Sequence, residues 1–393
     1  MPDSSVAPAA KPSDLAANGG SPCCASPVPF MSLALSEADI AAANEVLRSG
    51  MLRQGPKCAE LEQRFRDETD AAHAFTCANG TCALQLAYGG LLKRGDKVLA
   101  PAWTYIATVS MLVAEGTRPI LVDCLEDTFQ IDIEDAERRL EPGTTAIACT
   151  HLYGMPVDIE AVEDFAKRKG LKVIYDAAQA HLATYRGQGL GAFGDAVTYS
   201  FYATKNLGTG EGGMITTNDD ALASKIAALR SHGETDKYLH TSIGFNYRMN
   251  DITAAIGCSR MDRLAEQTDA RRAVADRYDA ILGSIDGLHA PGRTPHAEPV
   301  WHLYTAKMDL DKFSCSRDQL CDALRAEGVP TAIHYPRALS RQPAFEGIVN
   351  DHPPVADSLS ARVFSLPIHH DLTDAHLEGI EAALRKVARA FRA

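Results

Sequence analysis

From Met31 onward the chain alternates short apolar runs with amphipathic stretches. The runs "KVLAPA" (97–102), "RPILVD" (118–123), "TTAIACT" (144–150), "LKVIYD" (171–176), "DAVTYSF" (195–201) and "GMITT" (213–217) read as buried strands. Stretches of helical period lie between several of them. In "DIEAVEDFAKRKG" (158–170), Ile159, Val162, Phe165 and Ala166 make one apolar face, Asp158 suits the N-cap, and Gly170 suits the stop. Strands alternating with helices predict an α/β domain with a largely parallel sheet and helices on both sides.

Beyond about residue 265 the pattern changes. "QTDARRAVADRYDAILGSI" predicts a long amphipathic helix, and a Pro/His-rich passage follows near 291–302. Shorter α/β pieces then end in the helical "DAHLEGIEAALRKVARAFRA". This gives a large domain at 31–265 and a smaller C-terminal α/β domain at 266–393. Residues 1–30 are rich in Pro, Ala, Ser and Gly and are expected to form a mobile tail. Such a composition buries too little surface to offset its ordering entropy.

Composition narrows the function. The chain is 46% hydrophobic and 23% charged, ordinary for a soluble globular protein. A net charge of −12 argues against a nucleic-acid partner, and no segment has the apolar length of a membrane span. Of ten cysteines, Cys77, Cys82, Cys124, Cys149 and Cys258 lie in apolar stretches. No C-x-x-C, zinc spacing or secretion signal accompanies them. They are expected to be reduced core residues of a cytoplasmic protein, with no metal site.

A parallel sheet opens its binding crevice at the carboxyl ends of its strands. Thr104 and Tyr105, Asp176, and Ser200 with Lys205 follow three of the runs, so they are placed to converge. Lys205 sits in "SFYATKNLGTGEGGMITT" (200–217), ahead of Gly208, Gly210, Gly212 and Gly213. The glycines fit G-x-G-x-x-G by letter, but the loop runs into a strand, whereas a dinucleotide fingerprint opens a helix. The other reading is a lysine kept for covalent chemistry, since an enclosed amine loses protonation and becomes nucleophilic.

Pyridoxal phosphate needs such a lysine, an acid for its ring nitrogen and donors for its phosphate. Asp176 in "YDAAQAH" (175–181) supplies the acid, and Gln179 is placed to meet the ring hydroxyl. Gly80 and Thr81 open a helix in "ANGTCALQLAYGGLL" (78–92), a natural phosphate seat to which Ser200 adds a hydroxyl. Tyr105 is available to stack on the ring.

These motifs resemble the DegT-type sugar aminotransferases, pyridoxal-phosphate enzymes of the aspartate-aminotransferase fold (fold type I). The likeness runs from "GPKCAELEQRF" (55–65) to "VFSLPIHHDLT" (363–373). It takes in "NGTCALQLA", "PAWTYIAT", "DAAQAH", "SFYATKNLGTGEGG", "GFNYRMNDITAAIG" (244–257), "WHLY" (301–304) and "IHYP" (333–336). The resemblance implies Lys205 as the Schiff-base lysine, Asp176 as the pyridinium partner and Gln179 beside the ring hydroxyl. It implies Gly80, Thr81 and Ser200 as phosphate ligands, with Tyr105 stacked on the ring. It further implies that Asn246 reaches the phosphate in a partner subunit, making a homodimer with shared active sites. Arg248 is a candidate for a substrate carboxylate, and His334 and Tyr335 for the nucleotide.

Lys205 separates the chain from the family's dehydratase branch, which has histidine there. The implied reaction moves an amino group from L-glutamate to a nucleotide-linked keto sugar. "GEGG" with "GFNYRM" favours 4-keto acceptors; 3-keto sugars and cyclitols are the alternatives. A non-catalytic regulatory or scaffold role and a nicotinamide-dependent oxidoreductase are the rivals. His369 and His370 are expected at the surface or lining a pocket.

Overall fold

The computed structural model describes residues 12–349 and 351–393. Seven strands make the central sheet: β1 (His73–Cys77), β2 (Lys97–Pro101), β3 (Arg118–Val122), β4 (Thr144–Thr150), β5 (Lys172–Asp176), β6 (Ala196–Ser200) and β7 (Gly213–Thr217). Their order is β1-β7-β6-β5-β4-β2-β3. The β3, β2, β4, β5 and β6 pairings are parallel, while β7 runs antiparallel to both β6 and β1. All six runs singled out in the sequence are strands here. The seventh, β1, has the weakly apolar sequence "HAFTC" and gives no clear signal on its own.

Side chains alternate across a strand, so each run supplies both faces of the sheet. Leu99, Ile147, Val173, Tyr175, Val197 and Tyr199 pack on one face against Leu61, Phe65, Val162 and Phe165. Val98, Ala100, Ala146, Ala148, Ile174 and Ala196 pack on the other against Leu84, Tyr88, Val109 and Leu112. Both faces are covered, which is why the runs lack polar alternation. Helix Ile159–Lys169 has the anticipated ends: the Asp158 carboxylate accepts from the Ala161 amide at 3.2 Å, and Gly170 closes it at φ +68°.

Helix Asp251–Gly283 runs through the division expected at residue 265 without a break. Its first half buries Ala254, Cys258, Met261 and Leu264 beneath the large sheet. Its second half buries Val274, Tyr278, Ile281 and Leu282 in a separate cluster. That cluster is completed by a three-stranded antiparallel sheet of β8 (Leu288–His289), β9 (Tyr304–Met308) and β10 (Val363–Leu366). Helices Arg317–Ala326 and Asp374–Ala390 pack against it. No helix of the described residues is long and apolar enough to cross a membrane.

The described part of the expected mobile tail, residues 12–30, is instead packed on the C-terminal unit, which corrects that expectation; residues 1–11 lie outside the described residues. Leu15 and Val28 are buried in the same cluster as Tyr278 and Phe364. The wholly buried Glu327 carboxylate accepts from the Ala16 amide at 2.8 Å, the Cys23 amide at 3.0 Å and Lys386 Nζ at 2.9 Å. Cys24 and Val28 donate backbone bonds to the Glu327 and Gly328 carbonyls. Composition overlooks this because two spaced apolar side chains and a distant carboxylate provide the anchorage. His369 is likewise neither surface nor pocket lining: it is buried, and its Nε2 donates to the Pro29 carbonyl at 2.9 Å. Leu15→Ala is therefore expected to lower the unfolding free energy by about 2–5 kcal/mol in urea titration. A change below about 0.5 kcal/mol, the size of an ordinary surface substitution, would contradict the packing of this segment.

Candidate active site

A cavity of about 550 Å³ opens at the carboxyl ends of β2, β4, β5 and β6. It is lined by Gly80, Thr81, Tyr105, Asp176, Gln179, Ser200, Lys205, His334 and Tyr335. Segments far apart in sequence thus meet where parallel-sheet geometry anticipates a site. Asn246 and Arg248 do not line this cavity. Asn246 is exposed, on a segment bridged to Ser231, and Arg248 is half-buried beside it.

Asp176 ends β5, paired with Thr150 of β4 and Thr198 of β6. Its Oδ2 accepts from Thr108 Oγ1 at 2.7 Å and its Oδ1 from the Ala178 amide at 3.0 Å. Burial pushes its pKa up, opposed by these two hydrogen bonds and by the Lys205 charge. Lys205 moves the other way. Removal from water brings its amine down to about 8, against the pull of Asp176. Roughly a quarter of such an amine is neutral at pH 7.5, against about one part in a thousand for a free lysine.

The glycines explain how the lysine is held. After Lys205 the chain turns back, and the Phe201 and Ala203 amides donate to the Gly212 and Gly210 carbonyls. Gly210 at φ +95° and Gly212 at φ +153° adopt backbone that side-chain-bearing residues disfavour. A Cβ on Gly213 would sit 2.5 Å from the Asn79 backbone, and one on Gly80 would sit 2.6 Å from Ser200 Cβ. The bare backbones let helix Gly80–Leu91 start against the ends of β6 and β7. Asn79 caps that helix by accepting from the Cys82 amide at 2.9 Å. Its first-turn amides have no partner within the helix, so the cavity gains donors suited to an anion.

Gln179 is fixed at both ends: its Oε1 accepts from the Tyr153 amide at 2.7 Å, and its Nε2 donates to the Tyr335 hydroxyl at 3.3 Å. Tyr105 is 59% exposed, an aromatic face left open in the cavity wall. Burial, aided by the Lys205 charge, lowers His334 to about 4 and His302 well below the usual histidine range. Both imidazoles are therefore neutral at pH 7. Among the described residues no three His, Cys, Asp or Glu side chains gather as a metal site would need.

Sequence reasoning missed Thr108, Tyr153 and His302 as members of this site. Thr108 carried a usable signal: it lies four residues after Thr104, and in the structure the Thr104 hydroxyl, ahead of helix Ala107–Ala114, is 3.2 Å from the Thr108 hydroxyl in its first turn. His302 stood within the "WHLY" motif, but nothing local indicated that residue 302 would return to the strand ends.

In the cofactor-free protein, the rate of Lys205 modification by trinitrobenzenesulfonate is expected to rise with pH about a midpoint near 8. Peptide mapping identifies the modified site, and a midpoint near the ordinary lysine value would contradict the enclosure described here.

The family model for the DegT/DnrJ/EryC1/StrS aminotransferase family matches residues 34–385. The chain is 37% identical over 350 residues to a dTDP-3-amino-3,4,6-trideoxy-alpha-D-glucose transaminase of Streptomyces venezuelae, covering 87% of this chain and 91% of that one. It is also 37% identical over 344 residues to a UDP-2-acetamido-2-deoxy-3-oxo-D-glucuronate aminotransferase of Pseudomonas aeruginosa, covering 86% and 93%. The crystal structure of S. venezuelae DesV in complex with a ketimine intermediate superposes with a TM-score of 0.87 at 35% identity, covering 92% of this chain and 99% of that chain. With the fold and the match spanning nearly the whole chain, the protein belongs to the DegT/DnrJ/EryC1/StrS aminotransferase family and has the type I fold of its sugar aminotransferases.

Proposed function

We propose that this aminotransferase uses pyridoxal phosphate to move an amino group from L-glutamate to a nucleotide-linked keto sugar. The observation that carries the reading is the enclosed Lys205 amine beside the buried Asp176 carboxylate in one cavity. When bound, pyridoxal phosphate supplies an aldehyde for the lysine and a ring that accepts the electron pair released at the donor's α-carbon.

The residues present fit that group. Asp176 is a buried carboxylate with no full ion pair among the described residues, so a protonated ring nitrogen would relieve the cost of its burial. Thr108 and the Ala178 amide keep it in place as the ring's counter-charge. The start of helix Gly80–Leu91, with Thr81 and Ser200, forms the cradle for the phosphate. Gln179, held by the Tyr153 amide and the Tyr335 hydroxyl, would meet the ring hydroxyl, and Tyr105 would offer its face to the ring.

Lys205 has a second duty. Once the donor has displaced it, Nζ would serve as the base that holds and moves the donor's α-proton, a duty suited to an amine whose pKa is brought down to about 8. Asn246, off the cavity of its own chain, is read as the contribution of one subunit to its partner's phosphate seat. The working unit is then a homodimer. His334 and Tyr335, in the cavity wall, are read as contacts for the sugar nucleotide.

The motif likeness favours a 4-keto acceptor. A 3-keto acceptor is the second reading, because both relatives above are named for an amino or oxo group at carbon 3. Supplying each keto sugar with L-glutamate and locating the new amine by NMR separates the two. Lys205→Ala is expected to lower turnover at least about 10²–10⁴-fold with either acceptor. Turnover retained by that variant would overturn the assignment of Lys205.

A further inference from the structure

Beside the main cavity lies a smaller recess of about 110 Å³. The two share Thr204, His302, Leu303 and His334 in their walls. The floor of the recess includes Arg271, from the long helix, which is only 7% exposed. Its Nη1 donates to the Ile368 carbonyl at 2.7 Å and to the Trp301 carbonyl at 3.2 Å. Among the described residues its Nε and Nη2 have no partner, and no carboxylate forms an ion pair with it.

Burial brings the Arg271 pKa down to about 10, with Arg260 adding to the effect and Asp371 opposing it, so the guanidinium stays charged at neutral pH. A buried charge without a counter-ion is costly unless a ligand supplies one. His302, which lines both cavities, feels the charges of both Lys205 and Arg271.

We propose that this recess seats one carboxylate of the amino donor, with the Arg271 guanidinium as its counter-charge. The assignment rests on the transaminase reading above and identifies a donor subsite within it. A guanidinium presents parallel donors that match the two oxygens of a carboxylate. The recess admits a carboxylate with its neighbouring carbons and is too small for a nucleotide diphosphate. The anion seat at the helix start lies among other residues, so the two sites do not compete for one group. A donor held here has its amine in the main cavity, which Lys205 lines.

Two measurements test the proposal. In the cofactor-loaded enzyme, the L-glutamate concentration that half-bleaches the visible band is expected to rise about 10- to 100-fold in Arg271→Met. The rise should be smaller in Arg271→Lys, and the KM for the keto sugar should stay within about threefold. Met31→Trp, which fills the recess and leaves the Arg271 bonds to both carbonyls intact, is expected to raise the same concentration. That variant decides the matter if Arg271→Met fails to fold.

In the cofactor-free protein, calorimetry should detect glutarate binding to the wild type and its loss in the Arg271 variants. This arm tests the recess even if L-glutamate fails to bleach the wild type, an outcome that would count against the choice of donor. Folded variants with unchanged L-glutamate and glutarate binding would overturn the proposal. So would an effect confined to the keto sugar.

Discussion

An amine and a carboxylate, both withdrawn from water in one cavity, set the constraint that this structure satisfies. Each group alone would be disfavoured in its charged form at this depth, and each moderates the cost of the other. Asp176 is held by strand pairing on both sides, by Thr108 and by the Ala178 amide. Lys205 is held by a loop that doubles back on glycine backbone. Part of the wall comes from residues 302–303 and 334–335, contributed after the long helix.

That helix explains how two packing units present one site. Its first half belongs to the core under the large sheet and its second half to the core of the C-terminal unit. Arg271 lies near the change-over and bonds carbonyls of the C-terminal unit. The same unit carries the N-terminal segment, held by Glu327 and His369, and that segment brings Phe30 and Met31 to the small recess. A segment that composition marks as mobile thus contributes to the wall beside the cavity.

Legibility in the sequence followed the locality of the physics. The six strand runs are visible because burial on both faces leaves no regular alternation of polar positions. The caps of helix Ile159–Lys169 are visible because they act within four residues. Asp176, Lys205 and the Gly80–Thr81 turn are visible because strand ends in a parallel sheet converge by topology. β1 was missed because its edge position asks for little apolar content, and Thr108 because a threonine in an apolar helix reads as core. His302, Tyr153 and the packing of residues 12–30 depend on contacts across the whole chain, which no local pattern encodes. Asn246 shows the same limit in another form, since the role proposed for it lies in a second subunit.

The most direct test of the account is the visible absorption spectrum of the protein loaded with pyridoxal phosphate, recorded before and after L-glutamate. The account predicts a yellow band that bleaches on adding the donor, and no such band in Lys205→Ala loaded in the same way. A wild-type protein that stays colourless with excess cofactor would contradict the central claim that this cavity joins Lys205 and Asp176 for transamination.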